Sequence, residues 1–255
     1  MEDSIIRWTG NTWNFFTGCT EVSSGCDHCY ARVIAEKFRG KAFPHGFAPT
    51  WKPQKLADPE KWAASRVFVN SMSDCFHREF SYDMIAAGFA VMLRERRHQY
   101  QILTKRPERM RAFVSRWLAE VGLRDVPDHI WLGVTIESDR YAYRADVLRE
   151  IPVPVRFISA EPLLDAAASL DLAGIAWLIV GGESGPGYRP MDHQWARDLL
   201  AKARASKTAY FFKQSAAPRT EMGMELDGRR YEEFPRPAPT GGPPPRQKRG
   251  LPIVA

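Results

Sequence analysis

Residues 130–138 read IWLGVTIES, a short apolar run followed by the carboxylate of Glu137 and by Ser138. Its first six residues are aliphatic, aromatic, glycine or β-branched, without the polar alternation of a strand that faces water on one side. Such a run is typical of a strand buried on both faces of a parallel sheet. Five further stretches have the same form: RVFVNS (66–71), YQILTK (100–105), VRFISA (155–160), AWLIVGG (176–182) and AYFFKQ (209–214).

Amphipathic stretches separate most of these runs and predict helices. Apolar residues recur at three- and four-residue spacing over residues 84–97, 108–121, 140–150 and 194–205. The connection 160–176 instead predicts a loop with one short turn. Strands that alternate with helices imply right-handed crossovers and a parallel sheet, built as a doubly wound layer or as a full or partial barrel.

Polar and charged residues follow every one of the predicted strands. The carboxyl ends of parallel strands form the functional edge of α/β folds, so these residues predict a cleft. They favour a barrel, and we expect a partial (βα)6-type TIM barrel in one domain over residues 1–235. The strand-end residues are Ser71, Ser73, Asp74, Thr104, Lys105, Arg106, Thr135, Glu137, Ser138, Ser159, Glu161, Glu183, Ser184, Lys213 and Gln214.

The composition narrows the class of protein. The chain has 255 residues, of which 44% are hydrophobic, enough to fill a substantial core. We find no apolar run of the length that a membrane span requires, and the first residues lack the basic-then-apolar layout of a secretory signal. We therefore expect a cytoplasmic protein without membrane association, in which the four cysteines stay reduced.

The excess of basic residues is only weak evidence for a particular binding partner. A net charge of +6 is compatible with a polyanionic partner, although a solvated basic surface explains it as well. Part of the excess lies in residues 236–255, whose prolines, glycines and basic residues predict a flexible tail. Residues 39–65 are irregular and aromatic and predict a cover over the open side of the sheet, or a lid.

Three cysteines fall close together in TGCTEVSSGCDHCYAR, residues 17–32, at Cys19, Cys26 and Cys29. Three protein ligands leave one coordination position open, either on a catalytic zinc or on the fourth iron of a 4Fe–4S cluster. Thiolates suit both metals. The intervening loop can turn backbone N–H groups toward an anionic cluster, and a helix that begins near Tyr30 would direct its positive end to the same place.

The stretch TWNFFTGCTEVSSGCDHCYA resembles the signature of a phage-encoded three-cysteine-motif family of uncharacterised proteins related to radical SAM enzymes. Phe15 stands where that family usually has proline, and Ser215 where tryptophan is common. The resemblance covers about residues 8–235, because further stretches match in order. These are VFVNSMSDCFH, ILTKRPERM, WLGVTIE, RFISAEPLL, LIVGGESG, FFKQ and LDGRRYEEFP.

The resemblance implies a radical SAM-like core with a 4Fe–4S cluster on Cys19, Cys26 and Cys29 and S-adenosylmethionine (SAM) at the open iron. It also implies reductive cleavage of SAM, with an electron donor such as flavodoxin or ferredoxin as a partner. Asp74 is a candidate for the SAM ammonium group, and Glu137 and Glu161 for ribose hydroxyls. The full set of candidate cofactor-binding residues is Tyr30, Ser71, Asp74, Thr135, Glu137, Glu161, Gly181, Gly182 and Glu183.

A basic set is placed near an anionic substrate, because arginine can bind phosphate in bidentate fashion. It consists of Lys105, Arg106, Arg189 and Lys213. Each alternatively forms an ordinary surface or structural ion pair. Two further ligand sets stay open: Cys75 as a fourth thiolate, and His28 or His77 as the fourth ligand of a Cys3His zinc site. Catalytic residues stay unassigned at this level.

Two functions from different classes follow. The first is a radical SAM-type iron–sulfur enzyme that modifies or repairs a nucleic acid or nucleotide, with DNA favoured by the phage association of the family. The second is a non-catalytic, zinc- or cluster-containing protein that binds nucleic acid. A partner-dependent scaffold is a third possibility.

Overall fold

The computed structural model describes residues 6–235, and the expected tail at 236–255 lies outside the described residues. Nine strands are present in that range. All six predicted strands are confirmed as β4 to β9. The strands are β1 (Asn11–Trp13), β2 (Phe16–Thr17), β3 (Thr50–Trp51), β4 (Arg66–Val69), β5 (Gln99–Thr104), β6 (Ile130–Thr135), β7 (Arg156–Ala160), β8 (Trp177–Gly181) and β9 (Ala209–Gln214).

Seven of the strands form one parallel sheet in the order β1-β4-β5-β6-β7-β8-β9. The sequence analysis missed β1, which pairs in parallel with β4 through only three residues. Three residues are too few to show a periodicity, so this strand is defined by its partner. The short strands β2 and β3 form a separate antiparallel pair. Residues 39–65, expected to be irregular, contain β3 and two 3-10 helices, Pro53–Lys55 and Asp58–Lys61.

The described residues contain five α-helices, and the predicted helices are confirmed with shifted ends. They are α1 (Tyr30–Lys37), α2 (Tyr82–Arg94), α3 (Pro107–Val121), α4 (Tyr143–Arg149) and α5 (His193–Ala205). Side chains of Ser81 and Asp192 accept backbone hydrogen bonds at the starts of α2 and α5, which explains why these helices begin there. Residues 161–176 cross from β7 to β8 without a helix, so the expected set of six βα units lacks one helix.

The helices α2 to α5 all pack on one face of the large sheet. Alternate strand residues such as Ile102, Leu132 and Leu178 belong to the core cluster that also contains buried helix residues such as Phe89 and Leu148. A doubly wound fold has helices on both faces of its sheet. The sheet here is curled into a half-barrel with helices on its outer face, which confirms the expected partial barrel over a doubly wound layer.

The inner face of the half-barrel is packed with aromatic rings. Trp131 and Phe157 lie there with Trp177, whose indole nitrogen donates to the backbone oxygen of Glu233 at 2.8 Å. Packing explains why residue 133, in the middle of the IWLGVTIES stretch, is glycine. A Cβ at this position would lie 2.6 Å from the Phe157 ring, so glycine makes room for the aromatic layer.

The curled sheet is an incomplete barrel, since β1 and β9 are its two edges. All seven strands run the same way, so their carboxyl ends lie along one rim. Within residues 6–235 no helix combines the length and the apolar character needed to cross a bilayer.

Candidate functional site at the strand ends

The cysteine loop, residues 18–29, begins at the carboxyl end of β4. Gly18 forms a parallel bridge with Ser73, and its backbone N–H donates to the oxygen of Met72 at 2.9 Å. The Ser73 hydroxyl donates to the Gly18 oxygen at 2.6 Å. Residues 71–74 directly follow the first predicted strand, so the loop starts at the rim where the sequence analysis placed the site.

The same loop then crosses toward β6 and β8. The hydroxyl of Ser23 donates to the carboxylate of Glu137, which follows the apolar run of β6. Farther along, His28 Nδ1 lies 2.8 Å from Glu183 Oε2, and Arg189 donates to the Ser24 oxygen at 2.9 Å. Hydrogen bonds therefore hold the cysteine loop at three places along the rim, after β4, β6 and β8.

All three motif cysteines are free thiols of intermediate exposure. Cys29 is the residue that precedes α1, at the positive end of that helix. Cys19 receives a hydrogen bond from Arg106 Nη1 at 3.5 Å. Burial and the neighbouring Asp74 carboxylate raise the pKa of the Cys19 thiol to about 11, and they outweigh the opposing effect of Arg106.

The chemistry of this donor set fits an iron–sulfur cluster. In the part of the chain that the structure describes, no three His, Cys, Asp or Glu side chains form a group that could hold one metal ion. Each thiolate of a 4Fe–4S cluster binds a different iron, so its ligands lie farther apart than those of a single ion. Three accessible sulfur donors on one loop, with a guanidinium beside one of them, suit an anionic cluster.

The candidate carboxylates and the candidate basic residues form one set of ion pairs. Asp74 pairs with Arg106 at 2.8 Å, and Glu137 pairs with Lys105 at 2.6 Å. Glu161 pairs with Lys213, and Glu183 with Arg189, whose Nε lies 3.0 Å from the carboxylate. The sequence predicts these residues as a cofactor set and a substrate set, with structural ion pairs as the alternative, and the structure joins them in such pairs at the rim.

The comparison with known proteins gives a family without an assigned activity. Residues 3–235 match a family described as a protein of unknown function (DUF5131). The chain belongs to the DUF5131 family. No curated protein and no solved structure matches the chain.

In this DUF5131 chain, Asp74 is fully occupied by protein donors. Its carboxylate accepts from the Phe76 N–H at 2.9 Å, the Thr104 hydroxyl at 2.7 Å and the Lys105 N–H at 3.1 Å. Arg106 is the fourth donor. Asp74 thus fixes its own turn and joins the ends of β4 and β5. Its assignment to the SAM ammonium group stays a prediction.

Glu137 is the most deeply buried carboxylate of the rim. It lies between Lys105 and Arg144, whose Nη1 donates to Glu137 Oε2 at 2.8 Å and to the Thr135 oxygen at 2.7 Å. Burial alone would raise the pKa of Glu137, but Lys105 and Arg144 outweigh it and hold this pKa below its ordinary value. Glu137 is therefore a buried anion that supports the cysteine loop.

Glu183 has a similar environment. Burial opposes its ionised form, while the side chain and backbone N–H of Arg189 and the ring of His28 stabilise it, so the pKa of Glu183 lies below its ordinary value. Arg189 Nη1 also contacts Asp27 at 3.1 Å. These contacts connect the loop after β8 to the cysteine loop.

The remaining candidates for cofactor binding also lie at the rim. The Tyr30 hydroxyl donates to the Ser71 oxygen at 2.6 Å, which joins the start of α1 to the end of β4. Gly182 was expected to let the backbone approach a cofactor. A Cβ there would lie 2.2 Å from the backbone nitrogen of Ala216, while one at Gly181 would only touch Glu161 and Lys213. Close packing against the loop after β9 therefore explains why residue 182 is glycine.

The alternative fourth ligands have other environments. Cys75 is completely buried among the apolar residues of the outer core, and this burial raises the pKa of its thiol. His77 accepts from the Glu79 N–H at 3.2 Å through Nδ1, and its Nε2 lies 2.8 Å from the Thr20 hydroxyl. His28 is engaged with Glu183.

Sequence reasoning missed two important side chains. Arg144 is 1% exposed and compensates Glu137, and Ser23 links that carboxylate to the cysteine loop. Arg144 lies next to Ala145 and four residues before Leu148, on the buried side of α4. A charged residue at an apolar position of an amphipathic helix indicates a buried partner. Ser23 gave no comparable signal.

Proposed function

We propose that this protein is a radical SAM-type iron–sulfur enzyme that modifies or repairs a nucleic acid or nucleotide. In this proposal Cys19, Cys26 and Cys29 hold a 4Fe–4S cluster with one open iron. The resemblance of the cysteine motif and of the strand-end stretches to proteins related to radical SAM enzymes supports it. The half-barrel also supports it, because parallel βα folds place their active sites at the carboxyl ends of the strands.

One observation carries the proposal. The loop that bears the three thiols is held across the carboxyl ends of β4, β6 and β8 by Ser73, Glu137 and Glu183. A structural metal site needs no such position, whereas a reactive cofactor must face the cleft where a substrate enters.

A cluster held by Cys19, Cys26 and Cys29 would supply the hard chemistry, namely the electron for reductive cleavage of SAM to methionine and a deoxyadenosyl group able to take a hydrogen atom from the substrate. The residues of this chain position and shield that reaction. Arg106, held by Asp74 and in contact with Cys19, offsets the negative charge of three thiolates. Burial would lower the pKa of Arg106, but Asp74 and Cys19 raise it, so this arginine stays charged.

Glu137 and Glu183 have a supporting role in this proposal. Both are buried and ionised. Both also contact the cysteine loop, Glu137 through Ser23 and Glu183 through His28. Their basic partners Lys105 and Arg189 are more exposed than the carboxylates that they pair with. These two cations are the groups that we assign to an anionic substrate, since each can exchange a carboxylate contact for a phosphate contact.

The proposal is tested by turnover. Protein reconstituted with iron and sulfide under anaerobic conditions is reduced with dithionite in the presence of SAM, and methionine and 5′-deoxyadenosine are measured. We expect both products in equal amounts, and neither with Cys26→Ser. A reconstituted cluster that gives no products after reduction would contradict the enzyme and favour a cluster-containing protein that binds nucleic acid without catalysis.

A further inference from the structure

The segment 37–55, which connects α1 to β3 and the 3-10 helix that follows, has an unusual composition. It reads KFRGKAFPHGFAPTWKPQK, with five lysines and arginines, no aspartate or glutamate, and four aromatic residues. Cations interleaved with aromatic rings are typical of surfaces that follow a single-stranded nucleic acid. We call residues 37–55 the basic aromatic segment.

Several cations of this segment form no ion pair with a carboxylate of the described residues. Among residues 6–235 no carboxylate forms an ion pair with Lys37, Lys41 or Lys52, whereas Arg39 pairs with Glu36 and Lys55 lies 3.2 Å from Asp58. Three unpaired lysines on one short segment create a positive field that favours a polyanion.

The aromatic side chains lie beside these lysines. Phe38 is 42% exposed and Trp51 is 37% exposed, large fractions for aromatic rings. The ammonium group of Lys37 lies 5.6 Å from the Phe38 ring centre, and that of Lys52 lies 4.8 Å from the Phe43 ring centre. An open ring next to a cation can stack a base while the cation binds the adjoining phosphate.

A cavity of about 490 Å³ runs along this segment toward the rim, lined by Lys41, Lys52, Phe43, Asn14 and Met72 among others. Asn14 follows β1 and Met72 follows β4, so two of the lining residues lie at the carboxyl ends of these strands. The same segment reaches the thiols, because Phe43 and Phe47 pack in one cluster with Cys19 and Cys29.

The cavity also contains a partly buried cation without a carboxylate partner in the described part of the chain, and a bound anion would stabilise its charge. Lys52 is partly buried there, and its ammonium donates to the Ala42 oxygen at 3.0 Å. Burial, followed by repulsion from Lys55, lowers the pKa of Lys52. A phosphate in the cavity would supply the negative charge that the described residues do not provide.

We propose that the basic aromatic segment binds single-stranded nucleic acid and leads it along the cavity to the cysteine loop. The proposal rests on the proposed function and gives its substrate class. A single strand fits better than a duplex, since stacking on Phe38, Phe43 or Trp51 requires unstacked bases. Lysines supply the phosphate contacts and rings supply base contacts without sequence preference.

Binding is measured by fluorescence anisotropy with the full-length chain, without SAM, over a series of salt concentrations. The probes are a labelled deoxythymidine oligomer and a labelled uridine oligomer of about 20 nucleotides, and a duplex of the same length, longer than the site of one binding fold. The charge variant is K37Q/K41Q, since both lysines are exposed. Its matched control is R124Q/K207Q, which removes two exposed charges before β6 and β9, at the opposite end of the sheet.

We expect the single strands to bind more tightly than the duplex, with DNA and RNA distinguished by the two probes. K37Q/K41Q should reduce the slope of log affinity against log salt by about 1.4, whereas R124Q/K207Q should leave it unchanged. F38L/W51L should weaken binding by about fivefold or more, with the exposed Tyr143→Leu as its control.

Several results would overturn the inference. They are no binding of either strand, equal loss in K37Q/K41Q and R124Q/K207Q, preference for the duplex, or binding of anionic lipid vesicles in place of the oligomers. The readout does not depend on the cofactor. A protein that binds the single-stranded oligomers but holds no cluster would contradict the proposed function and support this inference. A protein with an active cluster that binds no oligomer would support the proposed function and contradict this inference.

Discussion

The carboxylate of Glu137 occupies the space that a side chain at Gly25 would need. A Cβ built on Gly25 would lie 2.4 Å from Glu137 Cγ and 2.6 Å from Oε1. Gly25 immediately precedes Cys26, and Glu137 lies two residues after the end of β6. The close approach of these two residues sets the distance between the cysteine loop and the strand ends.

Gly25→Ala should therefore lift the cysteine loop away from the rim. Glu137 is buried and held by two basic residues, so it cannot move aside to make room. We expect a loss of about 1–3 kcal/mol in the free energy of unfolding, and faster amide hydrogen exchange over residues 19–29. Both are measured on the purified protein, by urea denaturation and by exchange mass spectrometry.

Gly10→Ala is the matched control for this prediction. A Cβ there would meet its nearest atom at 3.4 Å, an ordinary contact distance, and Gly10 lies ahead of β1. Unchanged exchange over residues 19–29 in Gly25→Ala would mean that the loop is not supported by Glu137.

Glu137→Gln should be strongly destabilising. The substitution leaves Arg144, which is 1% exposed, without its compensating charge. Breaking a buried ion pair from one side costs about 3–5 kcal/mol. Glu120→Gln removes an exposed partner of Arg116 and should change the stability by less than about 0.5 kcal/mol. Equal effects of the two substitutions in urea denaturation would contradict the buried network.

Wild type and Glu137→Gln also provide a test of the pH dependence of stability. The pKa of Glu137 is lower in the folded chain than its usual value of 4.5, so its contribution to stability is present above that value. The contribution is lost as the pH falls through the lowered folded pKa. The stability difference between wild type and Glu137→Gln should therefore stay constant from about pH 7 to about pH 5 and shrink only in stronger acid. A difference that already shrinks near pH 6 would argue against an ionised Glu137.

The fold was largely predictable from the sequence because its signals are local. Each of the strands β4 to β9 carries its own apolar run, and each polar residue at a strand end follows from chain direction alone. β1 was not predictable, since its three residues become a strand only through pairing with β4. The partial barrel was predictable from the polar residues at the strand ends, whereas the helix missing between β7 and β8 and the place of β1 at the sheet edge are seen only in the assembled sheet.

The candidate site was predictable in position but not in connection. Placing Asp74 and Glu137 at the rim required only the strand ends. An ion pair of Glu137 with Lys105 or Arg106 was one of the alternatives that the sequence left open, and the pair with Lys105 is present. Which carboxylate meets which cation depends on the spacing of neighbouring strands in space, which the order of residues does not encode. The link from Ser23 to Glu137 spans 114 residues of sequence and had no local signal.

Two buried histidines should make the fold sensitive to mild acid. His98 and His129 lie in the core with Nε2 donating to the backbone oxygens of Pro59 and Met92, each at 2.9 Å. Burial lowers both pKa values from the usual 6.5, so the unfolded chain binds these protons first. Stability should be complete above about pH 6.5 and should fall as the pH drops below it.

Urea denaturation of wild type and of H98Q/H129Q at about pH 7.5 and pH 5.5 measures this effect. The double variant should be less stable at the higher pH, but it should lose less stability on acidification. An equal loss in both proteins would assign the acid sensitivity to other groups.

Cys75 should play no part in binding metal. Its side chain is fully buried in the outer core, beside Phe76 in sequence. Cys75→Ala should lower the stability by about 1 kcal/mol, because it leaves a small cavity, and should leave the iron content unchanged. Loss of iron in this variant, in protein that remains folded by circular dichroism, would make Cys75 a fourth ligand and fill the open position.

The presence of a cluster with an open iron is tested most directly by anaerobic reconstitution followed by iron and sulfide analysis and EPR spectroscopy of the reduced protein. We predict about four iron and four sulfide per chain. The EPR signal of the reduced cluster should change on addition of SAM, and Cys26→Ser should abolish the cluster. A chain that takes up no iron, or that holds zinc in its place, would contradict the account.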